Sequence, residues 1–156
     1  MVLAVIAALG ASNVTSGCRS QGRPDVQPFE SVLEEDASLV TLLNEAMDLG
    51  ERNHQAAARN LRDQVIPRAR SNAERAGNTR VEHPRARALR TTLCQLTARR
   101  AETTTALADA LEQQNAENLS RTLRAMRQVA LDMAQLESDV QRARNEPPQS
   151  GCSRSG

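Results

Sequence analysis

Apolar residues recur at three- and four-residue steps along most of this chain, which is the spacing of one face of an α-helix. The clearest run is Leu33, Ala37, Val40, Leu43 and Met47. Strong helix formers (Ala, Leu, Arg, Glu and Gln) dominate the composition. The β-branched and aromatic strands that a β-sandwich requires are absent, and Phe29 is the only aromatic residue. The sequence therefore predicts an all-α fold.

Breaks and caps divide this pattern into four helices. A capping-box pattern, Ser31 with Glu34, begins the first helix. The later stop and cap signals are Gly50 with Asn53, Gly77 to Thr79, Gln113 to Asn115 with Asn115 as cap, and Glu146 to Pro148. Pro67 is expected to kink or end the second helix, because it lacks an N–H donor and crowds the preceding turn. The third helix is expected to begin near Thr79 or Pro84.

An up-down four-helix bundle with short connections is the predicted architecture for residues 29–145. The alternative merges neighbouring helices into one long helical hairpin that dimerises to bury its seam. Residues 146–156 are predicted to form a tail that is either disordered or tethered by a disulfide. The chain is long enough for one such domain and not for two.

The amino-terminal segment differs from the rest by its apolar character. The run Met1–Ala11 carries no charge. It is too short to span a bilayer as a stable helix but long enough for the core of a signal peptide. We therefore predict a signal peptide over residues 1–17, followed by a flexible, proline-containing linker over residues 18–28. A buried amino-terminal helix is the alternative.

A small-residue box closes this segment. Val14–Cys18 resembles the lipobox of bacterial lipoproteins, with the small Ser16 and Gly17 directly before the cysteine. Thr15 stands where Leu is usual, and no Lys or Arg precedes the apolar run. The resemblance implies a lipid on Cys18 and a place in the bacterial cell envelope, anchored to a membrane on its periplasmic or outer side. Signal-peptide cleavage without lipid attachment stays open.

Two cysteines remain if Cys18 is lipidated, and an exported protein meets conditions in which disulfides persist. If the last hairpin turns near Gln114, Cys94 lies roughly 15 Å along its helix from the level at which the fourth helix ends. The eight-residue tail from Arg144 to Cys152 reaches up to about 26 Å. We therefore predict a Cys94–Cys152 disulfide, worth about 4 kcal/mol on a chain-entropy model. Two free or intermolecularly paired thiols are the alternative.

Charge is balanced over the chain but unevenly distributed along it. All eight charged residues from Asp25 to Glu51 are acidic, whereas twelve of the fifteen from Arg52 to Arg100 are Arg. The favoured interpretation is an acidic first helix lying beside a basic second one. In the alternative, six arginines gather at one end and bind an anion, for which lipid headgroups, acidic glycans or an acidic protein partner qualify. These candidates are Arg68, Arg70, Arg75, Arg80, Arg85 and Arg87.

Enzymatic and metal-binding patterns are missing from the sequence. His54 and His83 are the only histidines, and the predicted topology separates them. No residues have metal-ligand spacing, no glycine-rich phosphate loop is present, and the carboxylates fall at solvated helical positions. We expect no enzymatic activity, no metal and no cofactor. Nucleic acid is not expected as a partner, because export argues against it and aromatic stacking platforms are lacking.

These observations favour a non-enzymatic envelope lipoprotein that acts as a binding or scaffolding module. Its expected partners are the membrane, through the lipid on Cys18, and a protein or anionic component of the envelope. The sequence leaves the oligomeric state open. Residues 118–144 are rich in Arg, Gln and Met. This composition is similar to that of periplasmic helical chaperones and metal-stress sensors. That resemblance implies the alternative function, which is that of a periplasmic helical chaperone or metal-stress sensor.

Overall fold

A computed structural model describes residues 24–147, and every regular element within that range is helical. The α-helices are α1 (Glu30–Arg52), α2 (His54–Asn60), α3 (Ile66–Asn78), α4 (Pro84–Glu112) and α5 (Ala116–Asn145). A π-helical segment, Leu61–Val65, joins α2 to α3 without a break, so these elements form one rod. The described chain is therefore an all-α, up-down bundle of four rods, as predicted.

The second rod passes through Pro67 instead of ending there. Pro67 lies in the first turn of α3, where it cannot donate a hydrogen bond to the preceding turn. The backbone just before it widens into the π-helical segment, and the Ile66 N–H donates to the carbonyl of Leu61. The wider turn accommodates Pro67, and the helix continues to Asn78.

The beginning of α1 differs from the expected capping box. A 3₁₀ turn over Gln27–Phe29 leads directly into α1, and the Glu30 N–H donates to the Gln27 carbonyl. Phe29 is the N-cap and makes no side-chain capping bond, so Ser31 and Glu34 already lie inside the helix. Val26 and Phe29 are buried. Packed structure thus begins inside the predicted linker over residues 18–28, and the bundle extends further towards the amino terminus than expected.

The connections between rods follow the predicted caps. The Asn53 side chain accepts a hydrogen bond from the Ala56 N–H at 3.0 Å. Asn115 accepts one from the Asn118 N–H at 2.9 Å. Of the two starts expected for the third rod, α4 takes the one at Pro84. Because these connections are short, consecutive rods run antiparallel.

The core consists of two apolar clusters, one in each half of the bundle. The first cluster is Leu39, Leu43, Ala46, Ala57, Ala58, Leu61, Val65, Ile66, Ala69, Ala101, Leu107, Ala108 and Leu111. The second cluster is Val26, Phe29, Val32, Ala76, Ala86, Leu93, Leu96, Val129, Met133, Leu136, Val140 and Ala143. The second cluster lies at the end where the described chain begins, where α3 connects to α4 and where α5 finishes. Among the described helices, none is both long and apolar enough to cross a membrane.

Candidate functional site

A buried ion pair lies between the two apolar clusters. Arg100 Nε donates to Asp36 Oδ1 at 3.0 Å, and Arg100 Nη2 donates to Asp36 Oδ2 at 2.7 Å. The two side chains are only 4% and 5% exposed. The expectation that every carboxylate is solvated is therefore wrong for Asp36. Its spacing between Val32 and Leu39 on the core face of α1 was the signal in the sequence.

Further polar side chains complete this layer across three rods. Asn72 Nδ2 donates to the Val32 carbonyl at 3.0 Å, and its Oδ1 accepts from Arg75 at 3.2 Å. The Thr104 hydroxyl donates to the Arg100 carbonyl at 2.8 Å. Asn72 thus links α3 to α1, and the Asp36–Arg100 pair links α1 to α4, whereas the Thr104 hydroxyl bonds within α4. It is a structural feature and offers no open site for a ligand.

The acidic face of α1 lies beside the basic second rod, as the favoured interpretation of the charges predicts. Arg68 Nε donates to Glu35 Oε1 at 2.8 Å, and Arg75 Nη2 lies 3.7 Å from Glu35 Oε2. The hydrogen bond from Arg68 holds the pKa of the Glu35 carboxyl below its ordinary value. Two of the six candidate arginines thus share one carboxylate as their ion-pair partner.

The other candidate arginines divide between paired and unpaired side chains. Arg85 forms an ion pair with Glu146. Arg70 lines a shallow groove between α3 and α4, in which the carboxylates of Glu74 and Glu102 also lie. The remaining two, Arg80 and Arg87, are exposed and, like Arg70, form no ion pair within residues 24–147. The six side chains do not form one cluster.

Arg80 and Arg87 define a surface that we call the basic end. Arg80 lies in the connection between α3 and α4, and Arg87 lies in the first turn of α4. The neighbouring Val81 packs on the second apolar cluster, to which Val26 and Phe29 also belong. The basic end is therefore the end of the bundle at which the amino-terminal segment enters.

Of the three cysteines, the described residues include only Cys94, which is partly buried and packs against the second apolar cluster. Cys18 and Cys152 lie outside the described residues, so lipidation and the Cys94–Cys152 disulfide stay predictions. The Arg85–Glu146 ion pair places the end of α5 beside the start of α4. This is the relative level on which the disulfide was predicted.

The histidines lie far apart, at opposite ends of the bundle. His54 is exposed at the start of α2, whereas the His83 ring caps α4 by accepting a hydrogen bond from the Arg85 N–H at 3.2 Å. Nowhere in residues 24–147 are three His, Cys, Asp or Glu side chains placed to hold a metal ion. Comparison with known proteins finds no family model, no curated protein and no solved structure that matches this chain.

Proposed function

We propose that this protein is a non-enzymatic binding module of the bacterial cell envelope, anchored to a membrane by a lipid on Cys18. In this proposal the basic end, Arg80 and Arg87, binds anionic groups at the membrane surface. One observation is its main support: Arg80 and Arg87, two exposed arginines that form no ion pair within residues 24–147, lie at the end of the bundle where the amino-terminal segment enters.

The length of chain between anchor and bundle gives this proposal its physical basis. From Cys18 to Pro24 the backbone reaches at most about 21 Å. A lipid on Cys18 therefore keeps the basic end within a short distance of the headgroups. Each arginine close to an anionic membrane surface contributes about 1 kcal/mol, and this attraction decays within a Debye length of about 10 Å. The tether and the two guanidinium groups thus act on the same surface.

Vesicle binding tests the contribution of the basic end separately from the lipid. The chain carrying Cys18→Ala is mixed with vesicles of neutral phospholipid alone or with added anionic phospholipid, and bound protein is measured by cosedimentation. We expect binding only to the anionic vesicles, with a steep decrease as salt is added. Arg80→Gln combined with Arg87→Gln should weaken this binding by about tenfold or more.

A matched control removes the same charge from the opposite end of the bundle. Arg52 and Arg59 are exposed there and form no ion pair with other described residues. Arg52→Gln combined with Arg59→Gln should leave vesicle binding nearly unchanged. An equal loss of vesicle binding in both double variants would contradict the proposed role of the basic end. Binding that does not weaken as salt is added would also contradict it.

A further inference from the structure

The outer face of α5 combines exposed leucines with arginines. Leu123 and Leu131 are 37% and 58% exposed, and they are the large apolar side chains that residues 24–147 leave at the surface. Arg124 and Arg127 lie between them in the sequence and are exposed, whereas Arg142 further along the helix is exposed but paired with Asp139. The outer face of α5 from Leu123 to Leu131 is therefore basic, with two apolar contact points.

The outer face of α1 carries the opposite charge. Glu34, Glu45, Asp48 and Glu51 are exposed, and none of them forms an ion pair with another described residue. The other acidic residues of α1 are used within the chain, since Glu35 bonds Arg68 and Asp36 bonds Arg100. Four carboxylates thus remain available to a partner.

One ion pair fixes the register of these two faces. Glu30, the first residue of α1, pairs with Arg144, the penultimate residue of α5. Because α1 and α5 are antiparallel with the same rise per residue, Asp48 lies at the level between Arg124 and Arg127. The acidic carboxyl-terminal part of α1 therefore lies at the same level of the bundle as Arg124 and Arg127 of α5.

The other charges follow the same register. Glu51 lies level with Leu123, next to Arg124. Glu34 lies near the level of Arg142, which is paired with Asp139 of its own helix. Within one chain these side chains form no ion pairs across α1 and α5, although Glu30 and Arg144 do at the other end. The complementary charges lie exposed at equal heights on two rods that the Glu30–Arg144 ion pair joins at one end.

We propose that the face formed by α1 and α5 binds a second copy of this chain, about a two-fold axis parallel to the bundle. Such an axis places α1 of each copy against α5 of the other, antiparallel and at the same level. Every contact between acidic α1 and basic α5 then occurs twice. Leu123 and Leu131 become covered in the same step, which removes apolar surface from water. This interface does not depend on the proposed membrane function.

Charge reversal in two separate chains tests this pairing. One variant carries Asp48→Arg with Glu51→Arg, and the other carries Arg124→Glu with Arg127→Glu. Sedimentation equilibrium under reducing conditions, with the Cys18→Ala chain as the parent, measures association. The parent should dimerise, and each variant alone should dimerise at least about tenfold more weakly, because like charges then face each other. An equimolar mixture should recover the dimer, since each reversed helix meets its complement.

A control and three contrary outcomes make the test decisive. Arg59→Glu with Arg70→Glu reverses two exposed charges on the second rod and should leave dimerisation unchanged. Circular dichroism checks that every variant is folded. A parent that stays monomeric up to about 0.1 mM would overturn the proposal, as would a mixture that does not recover association. A monomeric parent whose binding to anionic vesicles requires Arg124 and Arg127 would assign this face to a membrane instead.

Discussion

Removing one partner of the buried Asp36–Arg100 pair should destabilise the protein severely. Both side chains are at least 95% buried, and the guanidinium bonds both carboxylate oxygens. Asp36→Leu or Arg100→Met leaves the other group without its partner in the core. Breaking a pair of this kind costs about 3–5 kcal/mol. Since a domain is stable by only about 5–15 kcal/mol in total, we expect each single variant to lose a large fraction of its stability.

Removing both charges together should be far less harmful. Asp36→Leu combined with Arg100→Met replaces the pair by apolar side chains, a change that is often neutral or stabilising. Urea-induced unfolding followed by circular dichroism gives the free energy of unfolding for each variant. A double-mutant cycle on these values should return a coupling energy of about 3 kcal/mol or more.

Two results would refute this reasoning. Single substitutions that each cost less than about 1 kcal/mol would show that the pair is no better than a surface ion pair. A double variant that loses as much as the two single variants added together would show that the cost comes from packing and not from the unpaired charge. In either case the polar layer would not be the element that ties α1 to α4.

Three further measurements test other parts of the structure. Because Arg68 lowers the pKa of Glu35 below 4.5, Glu35→Gln should cost most stability above pH 4.5 and progressively less as the pH falls through the lowered pKa. A cost that does not change with pH in urea unfolding would contradict this. Asn115→Ala should lower the free energy of unfolding by about 1 kcal/mol and Asn115→Gly by only a few tenths, because the cap bond to the next turn is lost. Non-reducing peptide mapping of exported protein should find Cys94 linked to Cys152, and finding both thiols free would exclude the disulfide.

Local chemistry made much of the fold predictable from the sequence. The ends of the rods at Asn53, Pro84 and Asn115 follow from caps and a proline that act within one helical turn. The outcome at Pro67 was less predictable, because the adjoining π-helical segment also carries the buried Leu61 and its shape is tied to packing against other rods. Local rules therefore predict where most helices end, but they do not predict how a long helix continues through a proline.

Charge patterns alone could not predict the buried pair, nor which arginines form ion pairs. Asp36 and Arg100 are 64 positions apart, and Arg68 and Glu35 are 33 apart. Whether an arginine is neutralised or left free depends on which helix packs against it. The position of Asp36 on the core face was visible in the apolar spacing, whereas its partner was not.

We propose that a lipid on Cys18 holds this bundle at an envelope membrane. Labelling bacterial cells that express the protein with a radioactive fatty acid, followed by membrane fractionation, tests it most directly. We predict label on the wild-type protein in the membrane fraction, and an unlabelled Cys18→Ala variant. Label that persists in the Cys18→Ala variant, or a wild-type protein that carries none, would contradict the account.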